Sequence, residues 1–115
     1  MTDSQYRFEK IFVVEPAHEV SILSKYSSQI IFVTDGGDKI EDISNRIESL
    51  IKDFNPDTDA IIPMGRAPSN FLAGLSLVRY LIFQFITQKK VNTPVCITFG
   101  VYRNEEYTFI TTELK

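Results

Sequence analysis

Between Phe71 and Ile86 the chain reads FLAGLSLVRYLIFQFI, and only Ser76, Arg79 and Gln84 are clearly polar. The spacing predicts a helix running to about Thr87, started by Ser69 or Asn70 as a cap. An ordinary surface helix shows one apolar stripe, whereas this one is apolar round most of its circumference and has to be covered on both sides. It is shorter than the roughly 20 residues that span a bilayer, and Arg79 interrupts it, so lipid is not the expected cover. A chain of 115 residues has little material left to cover a second helix face once a sheet has taken the first. The expected cover is another copy of the chain, the alternative being a helix central to a monomer, flanked by the other helices and the hairpin. Leu75, Arg79, Ile82, Phe83 and Ile86 are the expected oligomer contacts, because aromatic residues and Arg are enriched at such surfaces.

The rest of the chain alternates strand-like and helix-like segments. Phe8–Val14 reads as a strand ended by Pro16. Ala17–Tyr26 fits a short helix through Val20, Leu23 and Tyr26, although Val20, Ile22 and Ser24 also alternate as a strand would. Gln29–Thr34 is a continuous apolar run, expected to be a strand buried on both faces. Lys39–Phe54 is amphipathic, with Ile40, Ile43, Ile47, Leu50, Ile51 and Phe54 on one side and Asp38 with Glu41 placed as a capping pair. Asp59–Pro63 is a third short strand. Pro94–Tyr102 and Glu106–Leu114 form a hairpin across Arg103, Asn104 and Glu105. The order β-(α)-β-α-β-α-β-β implies one layered α/β domain over residues 1–115, with a mixed, mostly parallel sheet and a C-terminal β-hairpin.

Composition bounds the function more than it names it. The net charge of −3 argues against sequence-independent nucleic-acid binding, which needs a basic face. The polar N-terminus lacks the apolar stretch of a signal peptide, and cytoplasmic localisation is expected. Cys96 is the only cysteine, so no internal disulfide can form, and it reads as a small core residue. His18, the only histidine, stands beside Glu19 as a potential base but has no recognisable nucleophile to serve.

Ligands of open parallel sheets bind beyond the carboxyl ends of the strands, where three loops arrive. In the 64–70 loop, Gly65, Arg66, Ser69 and Asn70 could receive a phosphate or nucleotide. A helix N-terminus attracts anions there, and the Arg66 guanidinium offers a fork of donors. Neither a P-loop nor a dinucleotide glycine motif supports this. Glu15, Asp35 and Asp38 could hold Mg²⁺ through carboxylate oxygens and support phosphoryl-transfer chemistry. A Glu ending one strand and an Asp ending the next resembles the Toprim metal site of primases and topoisomerases. The chain departs from that pattern in two places: Pro16 stands where glycine follows the Glu, and Asp35-Gly36-Gly37-Asp38 replaces the Asp-x-Asp pair. The simpler expectation is a turn at Asp35 and a helix cap at Asp38.

The segments KYSSQIIFVTDG, DFNPDTDAIIPMGRAPSNFLAG and EEYTFITTEL together resemble small α/β proteins encoded by phages and other mobile elements. That resemblance carries no activity. It implies an accessory or host-interaction protein with a host protein as a possible partner. The expectation is therefore a non-enzymatic homo-oligomer, followed by a phosphate-ligand protein with Mg²⁺ as its only cofactor, and last a nucleic-acid binder.

Overall fold

Residues 7–17, 20–34, 39–88 and 95–114 are described by the structure, a computed structural model. Strands β1 (Lys10–Val13), β2 (Ile30–Phe32), β3 (Asp59–Ile62), β4 (Val95–Arg103) and β5 (Glu106–Leu114) form one sheet in the order β2-β1-β3-β4-β5. β1 pairs in parallel with both β2 and β3, β3 pairs in parallel with β4, and β4–β5 is the antiparallel hairpin. A 3₁₀ helix (Ser21–Lys25) links β1 to β2, while α1 (Ile40–Ile51) and α2 (Ala67–Gln88) connect β2 to β3 and β3 to β4. This is the mixed α/β sheet expected from the alternation of elements.

Strand alternation divides the apolar residues between two cores. On one face, Phe12, Ile61 and Ile97 meet Ile43, Ile47 and Ile51 of α1 and Ala73, Leu77 and Leu81 of α2. On the other, Ile11, Val13, Ala60 and Ile62 meet Leu23 and Tyr26 from the 3₁₀ segment and Tyr107 and Phe109 from β5. Tyr26 stands edge-on to Phe109 with ring centroids 5.0 Å apart. Both helices therefore lie on one face, and the second face is closed by the 3₁₀ segment and aromatic side chains.

Several boundaries and roles differ from the sequence expectation. β1 and β2 are shorter than read, although the residues just beyond them stay hydrogen-bonded to the sheet, Val33 and Thr34 to the Val13 and Val14 carbonyls and Val14 to that of Ile62. Among the described residues β2 is an edge strand, and Phe32 is exposed, so this strand is not buried on both faces. The short helix is 3₁₀ rather than α. The N-cap of α1 is Lys39, extended and without a side-chain cap bond, and Asp38 lies outside the described residues. α2 begins at Ala67, ahead of both Ser69 and Asn70, so neither caps it. Asn70 instead reaches back to the Arg66 carbonyl at 3.1 Å. Cys96 is half-buried rather than in the core.

The turn from α1 into β3 has its own polar lock. The buried Asp59 carboxylate accepts the Asn55 amide at 2.8 Å and the Thr58 hydroxyl at 3.0 Å. These bonds satisfy the buried carboxylate, and Lys10 adds an ion pair at 3.5 Å.

Candidate functional site

The strand order reverses direction between β1 and β3. From β1 the chain leaves toward β2 on one side, and from β3 it leaves through α2 toward β4 on the other. In open sheets the crevice at such a point is where ligands sit. Here it is formed by the segments that follow Val13 and Ile62. They are tied together by the Val14 amide donating to the Ile62 carbonyl at 3.1 Å and the Ala17 amide donating to Met64 Sδ at 3.3 Å.

Glu15 and Arg66, which the sequence offered as parts of two different sites, meet in this crevice. Glu15 is 3% exposed. Its Oε1 accepts the Arg66 backbone amide at 2.6 Å, and its Oε2 accepts Arg66 Nη2 at 2.7 Å. Arg66 Nε lies 3.1 and 3.0 Å from the two oxygens, and the Ser69 hydroxyl reaches Oε2 at 3.5 Å. A buried carboxylate is tolerated because the Arg66 guanidinium, a backbone amide and a hydroxyl donate to it. It also stands beside the N-terminus of α2, where the helix dipole favours negative charge. The chain's own carboxylate thus occupies the ground that an external phosphate was expected to take, and much of the Arg66 fork is engaged by it.

Gly65 makes this approach possible. Its φ of +93° lies in the left-handed region, and a Cβ there would stand 2.7 Å from Glu15 Oε1 and 2.8 Å from its Cγ. Glycine is required on both counts. The sequence reading noticed Gly65 as a turn residue, but it had no means of showing that the turn closes on a side chain 50 positions earlier.

Of the proposed metal set, Glu15 is committed to Arg66, and Asp35 and Asp38 lie outside the described residues, as do His18 and Glu19. Among the described residues no group of three metal-binding side chains exists.

The Arg66 guanidinium beside Glu15 holds its carboxyl below the usual carboxylate value against the opposing effect of burial, with the Arg66 backbone amide and Ser69 adding to the lowering. A depressed folded-state pKa gives stability that is present above the unfolded value, about 4.3, and is lost as pH falls through the folded value. Glu15→Gln is therefore expected to cost about 1–3 kcal/mol near pH 7. The difference from wild type should shrink as the pH drops below about 4. Urea titrations at neutral and acidic pH measure it, and a pH-independent difference would contradict the ion-pair account.

The second region is the outward face of α2. Phe71 is 67% exposed, Leu75 52%, Val78 37% and Ile82 50%. They recur at spacings of four, three and four, and so form a single stripe opposite the Ala73, Leu77 and Leu81 core face. Of the expected oligomer contacts, Leu75 and Ile82 lie on this stripe. Phe83, 64% exposed, lies on the flank toward α1, where it lines a shallow cleft with Ile51 and Tyr80. Arg79 is on the same flank and pairs with Glu48 of α1 at 3.1 Å. The side chain of Ile86 lies outside the described ones. Phe71 and Val78 complete the stripe but were not among the expected contacts, although their four-three-four spacing was a legible signal. Among the described residues no helix is long and apolar enough to cross a membrane.

Comparison with protein-family models, curated proteins and solved structures found no match to the chain.

Proposed function

We propose that the protein works as a homo-oligomer, a dimer in its simplest form, acting through protein contacts rather than catalysis. The outward face of α2 is its self-association surface. The observation that carries this reading is the Phe71, Leu75, Val78 and Ile82 stripe, exposed on a helix whose opposite face is already in the core.

A seam of this spacing is the kind that packs against a second helix at a small crossing angle. A second copy fits it for two reasons. An isologous pair needs one self-complementary patch, and a continuous apolar helix face is one. The flank also carries both signs of charge, Arg79 and Glu48, so a copy related by a two-fold axis finds opposite charge beside the seam. The stripe covers three helical turns, about 16 Å. An interface of standard size takes roughly 800 Å² from each partner. The stripe alone offers less, so the α1 flank has to take part and the expected affinity is micromolar rather than nanomolar. In the accessory role that the sequence pattern suggests, such a dimer would present two copies of its remaining surface to a host protein. A phosphate-ligand function would require Arg66 to be drawn away from Glu15.

Sedimentation velocity over a range of about 1–200 µM tests the reading, bracketing the micromolar affinity expected. The sedimenting mass should rise from 13.2 kDa toward twice that value with concentration. A constant monomer mass across the range would overturn it.

A further inference from the structure

Ser76, Arg79 and Gln84, the polar residues within the apolar run of α2, all serve one cleft between α1 and α2. The cleft encloses about 200 Å³, and Ile51, Tyr80 and Phe83 form its apolar walls. Gln84 Nε2 donates to the Tyr80 hydroxyl at 2.8 Å, which holds that ring in place. Arg79 and Glu48, 3.1 Å apart at the rim, offset each other's charge. Two polar groups are left over. Ser76 is 7% exposed and lines the cleft, yet its hydroxyl has no hydrogen-bond partner among the described residues. A hydroxyl buried to that extent is normally bonded, so what remains open of it is an offer to whatever enters. Lys52 is exposed at the rim, and among the described residues its ammonium has no ion pair.

The arrangement of these groups selects the occupant. β2, β3 and β4 are mutually parallel, so the helices that connect them run parallel to each other. Arg79 faces Glu48, and Phe83 and Lys52, each four residues later, are therefore level with each other one turn on. Ser76 lies seven residues before Phe83, about 10 Å back along α2. The free hydroxyl and the free ammonium thus mark opposite ends of the cleft, with aromatic walls between them. A cavity of about 150 Å³ holds benzene, whereas pockets for larger ligands begin near roughly 300 Å³. This cleft has room for one substituted ring. We propose that it binds a small aromatic monocarboxylate with a hydroxyl opposite the acid group. The ring lies against Tyr80 and Phe83, the carboxylate meets Lys52 Nζ, and the ligand hydroxyl bonds Ser76 Oγ. Every group of the site comes from one chain, so the site does not depend on self-association.

The probe is 4-hydroxybenzoate, titrated into the ¹⁵N-labelled full chain, with benzoate and 4-hydroxybenzamide as comparisons. Amide shifts should concentrate at residues 48–52 and 76–83 and saturate with a Kd of about 0.1–1 mM, the range for so small a ligand. The amide, which lacks the charge, should bind roughly fivefold more weakly, and Lys52→Ala should remove that difference. Ser76→Ala deletes a hydroxyl that the fold does not use, so the chain should stay folded. It should weaken 4-hydroxybenzoate roughly fivefold and leave benzoate unchanged. Repeating the titration on the Leu75→Glu, Ile82→Glu chain separates the site from the α2 seam, since binding there depends on the cleft alone. No saturation up to about 10 mM in either chain, shifts centred elsewhere, equal binding of acid and amide, or an equal loss of both acids in Ser76→Ala would overturn the proposal.

Discussion

Gly65→Ala is expected to destabilise the fold by about 3 kcal/mol, the sum of two separable effects. The first is conformational. A φ of +93° is costly for any L residue with a Cβ, by roughly 1–2 kcal/mol. The second is steric. The new methyl would enter the space held by the Glu15 side chain, which cannot retreat without leaving Arg66 and Ser69. Overpacking of that kind adds about 1–3 kcal/mol. For a chain of 115 residues the melting temperature should fall by roughly 10–18 °C, measured by calorimetry. The double variant Gly65→Ala with Glu15→Gly separates the two effects. Removing the whole Glu15 side chain, whose Cβ is the nearest atom to the new methyl, should recover the steric part and leave the conformational part. If the two substitutions simply add, the contact between Gly65 and Glu15 is not what the glycine serves.

The contrast between what the residues announced and what they concealed follows from the range of the interactions. The periodicity of Ile43, Ile47 and Ile51 is set within one helix, and that element was legible down to its buried face. The hairpin was legible for the same reason, since a short polar break between two β-rich runs leaves few alternatives. The start of α1 was not legible to the residue, because its N-cap is Lys39, whose side chain makes no cap bond and so leaves no signal in the sequence. The Glu15–Arg66 pair was out of reach. It depends on β1 lying next to β3, and strand order is a tertiary outcome that no local pattern encodes. The two residues were therefore assigned opposite tasks, one for a cation and one for an anion, when the fold uses each to satisfy the other. The α2 stripe was half legible: excess apolar character was evident, but the exposed side could be separated from the core side only once Ala73, Leu77 and Leu81 were seen facing the sheet.

That separation makes the second prediction sharper than one based on hydrophobicity alone. Leu75→Glu combined with Ile82→Glu should weaken self-association by about a thousandfold, equivalent to about 4 kcal/mol. Both positions are half-exposed in the single chain, and Glu is a good helix former, so the monomer should keep its helix content and melt within about 0.5 kcal/mol of wild type. In the dimer each substitution replaces apolar burial with a carboxylate that must be desolvated, and the two-fold axis brings the copies' carboxylates near one another. Sedimentation shows the loss of dimer, and circular dichroism shows that the fold survives. Phe83→Glu should have a smaller effect, because Phe83 lies on the α1 flank and not on the central seam. Arg79→Glu alone should also weaken the pair, and adding Glu48→Arg should restore it, because the exchange preserves both charges at the seam's border. If the two seam carboxylates leave a concentration-dependent dimer intact, the chain associates through another face and the α2 seam is not its interface.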